Sequence, residues 1–439
     1  MDGKRRPSGY CPPIMPDHSE QADETRERSA PTPALARLFS HRGFAVFLTA
    51  RTLSSFSSQV QAVAVGWQIY MLTHTASALG WVGLAQFMPM FCFTLVAGHV
   101  ADHFDRRFIT AACQALESCG ALVMAVGSLS GWLTPGMIYG MVALFGTARA
   151  FEMPSQQTFL PALVPPALFA RAAALSSSLF QVASIMGPSV GGLLYGVGAG
   201  ICYSVCTVGF GLASVATLCM RLEAPARVRR PMTLETVMGG LHFIRAHPEM
   251  MGAISLDLFA VLLGGATAML PLYADSILHA GPTGLGVLRM APALGALLVA
   301  VIFARWPLKR RAGEAMFAAV AVFGVATIIF GLSRSLVLSV VALAVLGGAD
   351  VISVVVRGAL VQLRTPDDMR GRVSAVNMLF IGSSNQLGEF ESGMLASLIG
   401  PVEAVVLGGI GTIAVTLLWM RLFPDLRRLD RLDDIRPVR

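Results

Sequence analysis

Charge is what this chain has least of. Asp, Glu, Lys and Arg make up 13% of its 439 residues, against roughly 25% in soluble domains. Lysine is almost missing, with Lys4 and Lys309 alone among 33 basic residues. Hydrophobic residues reach 54% and the mean hydropathy is +0.65. This balance excludes an ordinary soluble globular protein. The formal charge of +7 does not call for nucleic acid, because the basic residues sit in short clusters between apolar runs. The seven cysteines form no CxxC and no Cys/His metal spacing, so neither a metal nor a cofactor is expected. No Gly-x4-Gly-Lys-Ser/Thr loop is present, which argues against drive by ATP. No nucleophile–base set suggests an enzyme. Residues 1–40 are polar and proline-rich and lack the short apolar core of a secretory signal. They read as a disordered tail.

Long apolar runs are abundant. Spans are expected at 43–72, 78–101, 107–130, 136–163, 169–198, 200–220, 249–278, 284–305, 313–333, 335–363, 372–399 and 401–422. Each meets the length needed to cross a bilayer, and none alternates as a strand would. At this length helices satisfy every backbone group in lipid, so all twelve should be helical. The expected class is an all-α membrane protein with twelve transmembrane helices. Residues 41–220 and 249–422 would form two six-helix bundles around a central cavity. The linker 221–248 carries an amphipathic stretch, Leu234–Ala246, with Leu234, Val237, Leu241 and Ile244 on one face, and 423–439 forms a C-terminal tail. The tails and the even-numbered connections hold 28 of the 33 Lys and Arg, and the opposite side holds only Arg334. That asymmetry puts both termini in the cytoplasm.

The two halves repeat. At an offset of 201 residues Gly146 meets Gly347, Pro165 meets Pro366, Arg171 meets Arg372, Gly187 meets Gly388 and Gly192 meets Gly393. At 203, Pro89 meets Pro292 and Arg107 meets Arg310. Parallel repeats of this kind bracket a substrate site near the midplane.

Charges inside spans are the strongest chemical signal. Each costs roughly 2.5–3.5 kcal/mol at a helix centre, so such groups face a cavity and pair. The candidates are Arg51, Glu117, Arg149, Glu152, Asp257, Arg289, Asp350, Arg357, Glu389 and Glu391, with Asn385 among the neutral polar groups of the eleventh span. Asp350 and Arg357 share a helix face, as do Arg149 and Glu152. Glu389 and Glu391 do not. Two ion pairs are expected, Arg51 with Glu152 and Asp257 with Arg357, each joining two spans within one half. The alternative is that these charges only hold the bundle, with Arg51 snorkelling outward. Glu117 lies near the midplane and is the first candidate for proton coupling.

Two motifs complete the pattern. The second and third spans are joined by Gly98-His-Val-Ala-Asp102-His-Phe-Asp105-Arg106-Arg107, and the fifth span carries Gly187-Pro188-Ser-Val-Gly191-Gly192. The first resembles the loop signature of the major facilitator superfamily, with His103 at a place where that family usually has Arg or Lys. The second resembles the Gly-Pro motif of its exporter branches. Val65-Gly66-Trp67-Gln68-Ile69-Tyr70 and the stretch from Gly371-Arg372-Val373-Ser374 to Glu391-Ser-Gly393 resemble the enterobactin-exporter-like, transmembrane secretion effector branch. The resemblance spans about residues 38–430. It implies a multi-pass inner-membrane exporter of a small siderophore-like or drug-like molecule. Such a protein works by alternating access against proton influx, within the lipid bilayer and as a monomer. It makes Asp102 a gate against the start of the eleventh span near Arg370 and Arg372, and the fifth-span glycines a seal on the periplasmic side. The other readings are transport of a lipid-like amphiphile, or a sensor or scaffold of transporter fold.

Overall fold

The computed structural model describes residues 38, 42–220, 234–306, 310–366 and 369–430. Apart from Leu38, the tail expected at 1–40 lies outside the described residues, as do the linker before Leu234 and the chain beyond 430.

The described residues contain twelve helices of at least sixteen residues. In the first half they are α1 (Arg42–Thr73), α2 (Ala76–His103), α3 (Arg106–Leu129), α4 (Pro135–Gln156), α5 (Pro166–Val197) and α6 (Ala199–Cys219). The second half has α7 (Pro248–Leu263), α8 (Gly281–Arg305), α9 (Ala312–Leu332), α10 (Leu336–Arg364), α11 (Arg370–Ile399) and α12 (Pro401–Leu422). Among the described residues, nine helices are long and apolar enough to cross a membrane on composition alone. Helices α1, α4 and α11 fall outside that group. These three carry the serines, glutamines and charges that line the interior, and that polarity lowers their hydropathy.

Two further expectations change in detail. The seventh span is not one helix: α7 stops at Leu263 and the chain passes through a 3-10 turn at Ala266–Met269. It then closes in a π-helical turn at Tyr273–Ile277. Gly264 and Gly265 begin the break and Pro271 lies just beyond it, so backbone freedom and a missing donor act together. The fourth span likewise ends at Gln156, and a short helix, Phe159–Leu163, follows. A helix covers Leu234–Ala246, with Ile244 fully buried.

The helices pair in the same pattern in each half. α1 packs on α5 and α6, α2 on α4, and α3 on α4 and α6; α7 packs on α11 and α12, α8 on α10, and α9 on α10 and α12. Between halves the main contacts are α2 with α11 and α5 with α8.

The repeat is read directly in the glycines. A Cβ on Gly187 would meet Gln59 of α1 at 2.6 Å, and one on Gly388 would meet Leu262 of α7 at 2.9 Å. One turn on, a Cβ on Gly192 would lie 2.4 Å from the Pro282 carbonyl of α8, and one on Gly393 would lie 2.6 Å from Gly80 Cα of α2. The first glycine of each pair therefore seats its helix within its own half, and the second seats it across the interface. These approaches lie at the end of the bundle away from the chain termini. There Tyr70 Oη and Ser276 Oγ also meet at 2.6 Å, and Trp81 packs edge-on against Phe390.

A side chain at Gly192 has no room, whereas Gly196 on the same helix meets nothing closer than 3.8 Å. Gly192→Val should therefore destabilise the purified protein by about 1–3 kcal/mol, the usual cost of overpacking. It should also speed thiol labelling of Ser276→Cys at the same end. Gly196→Val should do neither, and equal behaviour of the two variants in melting and labelling assays would remove the steric argument.

Candidate functional site

In the first half the polar core is built around Glu152 of α4, which is 6% exposed. Its Oε1 accepts hydrogen bonds from Gln156 Nε2 at 2.6 Å, Gln114 Nε2 at 2.9 Å and Ser54 Oγ at 3.3 Å. Gln114 in turn accepts from Thr217 Oγ1 at 2.9 Å. Four helices, α1, α3, α4 and α6, are thus tied through one carboxylate and neutral donors. The expected Arg51–Glu152 ion pair does not form. Arg51 lies over the Phe47 ring of its own helix, 5.9 Å from its centroid. The helix crossing brings Ser54, three residues further in, level with Glu152, so the expectation missed by about one helical turn.

In the second half Arg357 Nη1 donates to Asp257 Oδ2 in a buried ion pair between α10 and α7. Asp350 lies within electrostatic reach of both partners. Arg364 and Glu249, at 3.2 Å, join the same two helices nearer their terminal end. Asp257, Asp350, Arg357 and Asn385 border a cavity of about 350 Å³ together with Gln181 of α5. Asn385 Nδ2 donates to the Ile381 carbonyl within its own helix.

A second cavity, of about 290 Å³, lies between the halves. Its walls carry Glu117 of α3, Arg149 of α4, Arg289 of α8 and Glu389 of α11. Gln59, Gln61, Gln86 and Gln386 add amides, and Phe145 and Phe210 add rings. Arg149 Nη2 donates to Ser58 Oγ. Glu117 is 2% exposed and its Oε2 has no hydrogen-bond partner. Arg289 packs its guanidinium over Gly66, and Glu389 packs over Gly83; both glycines leave room that a Cβ would fill at 3.0–3.3 Å. Glu391 is turned elsewhere and accepts from Ser392 Oγ at 3.4 Å.

The loop motif is partly described. Gly98 and Asp102 belong to α2, but the side chain of Asp102, and with it the expected gate, lies outside the described side chains. Arg106 opens α3. Asp105 caps α3 by accepting from Arg107 N at 2.9 Å, and the Arg107 guanidinium reaches both Asp105, at 2.8 Å, and the Met220 carbonyl ending α6, at 3.0 Å. The hydrogen bond from Arg107 holds the Asp105 carboxyl below its ordinary value. The small stabilisation from this exposed pair is present above the ordinary carboxylate range and is lost as pH falls through the lowered value. In the Gly-Pro motif, Gly191 lies against Val60 of α1, and the Pro188 carbonyl would lie 2.7 Å from a Cβ on Gly286 of α8.

Of the expected residues, the structure gathers Glu117, Arg149, Arg289 and Glu389 around one cavity and Asp257, Asp350, Arg357 and Asn385 around the other. Gln86, Gln114, Phe145 and Phe210 were not singled out. The two glutamines are lone amides in apolar spans and had the same signal as the charges, whereas the phenylalanines had none. Among the described residues no group of His, Cys, Asp and Glu could hold a metal ion.

Two repeats of six helices enclosing polar cavities define the solute-transporter class of membrane protein. Solved structures agree on the fold. A point mutant of the nucleoside transporter NupG has a TM-score of 0.69 at 13% identity, covering 87% of this chain and 100% of that one. A POT family transporter in complex with 5-aminolevulinic acid has a TM-score of 0.70 at 12% identity, covering 88% and 96%. A bacterial homolog of the human lysosomal transporter Spinster, inward-facing and occupied, has a TM-score of 0.67 at 14% identity, covering 89% and 98%. More particularly, residues 32–436 match the family described as transmembrane secretion effector, and the chain belongs to it. Curated relatives include the Enterobactin exporter EntS of Citrobacter koseri, 27% identical over 90% of this chain and 95% of that protein. The Shigella boydii protein of the same name is 25% identical with the same coverage. The chain is therefore a multi-pass membrane transporter and not an enzyme.

The buried pair in the second half yields a cycle test. Asp257→Ala or Arg357→Ala alone leaves an uncompensated buried charge and should cost about 3–5 kcal/mol. The double variant should be less destabilised than either single variant. Melting of the purified variants checks this, and additive losses would show that the two groups act separately.

Proposed function

We propose that this protein is a proton-coupled exporter of a small siderophore-like or drug-like molecule in a bacterial inner membrane. It works by alternating access as a monomer, with both termini in the cytoplasm. The relatives named as exporters support the direction. The close glycine contacts at the end away from the termini support a bundle sealed on the periplasmic side, so that cargo enters from the cytoplasm. The loop signature supports Asp102 as a gate against the start of α11.

The observation that carries the coupling is the contrast between two buried carboxylates of the first half. Glu152 accepts from three neutral donors at Oε1, whereas Glu117 borders the central cavity and accepts no hydrogen bond among the described residues. A carboxylate buried without a donor is costly in its charged form, and a proton is the smallest partner that removes the cost. Arg149 and Glu152 face it from α4, and Cys113 lies near it on its own helix. Glu117 takes the proton in one orientation and gives it up in the other.

Glu117→Gln should keep abundance and melting temperature but abolish gradient-driven efflux from proteoliposomes, while leaving exchange of substrate intact. Glu152→Gln should instead lower stability, because a neutral amide oxygen accepts more weakly than a carboxylate oxygen from the three donors that converge on Oε1. Normal pH-dependent accumulation by Glu117→Gln would overturn the assignment.

A further inference from the structure

The central cavity is neutral in sum but not in detail. Each half supplies one Glu and one Arg: Glu117 and Arg149 from the first, Glu389 and Arg289 from the second. Arg149 is engaged by Ser58. Arg289 lies within electrostatic reach of Glu389, yet among the described residues it makes no direct hydrogen bond or ion pair. Glu117 is likewise without a donor. One carboxylate and one guanidinium, on opposite halves, therefore border the same space with their hydrogen-bonding capacity unused. A guanidinium has five N–H donors and suits a carboxylate in bidentate geometry, while an ionised carboxylate only accepts.

We propose that the central cavity takes an amphoteric molecule, a protonated amine and a carboxylate on one scaffold, with the amine at Glu117 and the carboxylate at Arg289. This rests on the exporter reading above and names its cargo class. A cargo of one charge would meet only one of these two groups and leave the other without a partner in a site walled by lipid-embedded helices, which is expensive. An amphoteric cargo gives both groups a partner. Phe145 and Phe210 form apolar wall beside Glu117 and suit an aromatic body. The volume of about 290 Å³ is at the lower edge of drug-sized pockets, so the cargo is compact. Because the two contacts lie on opposite halves, the bound molecule bridges them. Because the amine and the proton claim the same carboxylate, loading of one expels the other.

The test uses the full-length purified protein at a fixed neutral pH. Ciprofloxacin, which carries an amine and a carboxylate on one aromatic scaffold, is titrated beside its methyl ester and its N-acetyl derivative. The parent compound should bind about 10- to 100-fold more tightly than either derivative, the usual worth of a hydrogen bond to a charged group. Glu117→Gln should bring the parent down to the N-acetyl level, and Arg289→Gln should bring it down to the ester level. The comparison of three compounds on the unmodified protein stands even if a variant fails to fold. Equal binding of the three, tighter binding of either derivative, or no binding of the parent overturns the proposal. If the parent binds as expected but drives no proton movement in proteoliposomes, the exporter reading falls and the amphoteric site remains.

Discussion

The contact on which the rest of the molecule depends is backbone against backbone, where α5 meets α8 and α11 meets α2. Two six-helix units that share only apolar side chains would gain little from touching in a membrane, where lipid is an equal partner. Close approach at Gly192 and Gly393 supplies dense van der Waals contact. It also confines that contact to one end of the bundle. Polar groups also lie between the halves: the cavity bearing Glu117 and Arg289, the Tyr70–Ser276 hydrogen bond, and the bond from Gln181 to the Ala293 carbonyl.

Much of this was legible in the sequence, for physical reasons that can be named. Except at the far ends of the fourth and seventh spans, helix limits followed from length in lipid and came within a few residues, because a membrane leaves no other way to satisfy the backbone. The Asp257–Arg357 pair followed from the cost of lone charges. The register of the first-half charges did not follow, because a crossing angle decides whether Arg51 or Ser54 is level with Glu152, and no single-chain pattern records a crossing angle. The break in α7 had a signal in Gly264 and Gly265, but glycine pairs also serve close packing. Residues such as Phe145 became part of the cavity only through the packing of α4 on α2.

The repeat also shows how one scaffold distributes charge in two ways. At the offsets read from the sequence, Ser54 corresponds to Asp257, Gln156 to Arg357 and Glu152 to Ser353. The second half makes this α1/α4-type contact with opposite charges facing each other. The first half makes it with two neutral donors on either side of a carboxylate. The geometry is kept while the charge moves to the middle position. The buried Ser353 hydroxyl, without a hydrogen-bond partner among the described residues, occupies the sequence position that corresponds to the carboxylate of the other half.

The interrupted segment of α7 has a further consequence for the two cavities. Ala268 faces the central one, while Gly264, Gly265 and Thr267 face the other. On α11, Gln386 and Asn385 divide in the same way. The chambers thus share a party wall one backbone thick. The carbonyls of Val261 and Leu262 in that wall lean on Gly388, and that of Leu263 leans on Gly408. Because the same segment lines both chambers, a substitution that displaces it toward one narrows that chamber and widens the other.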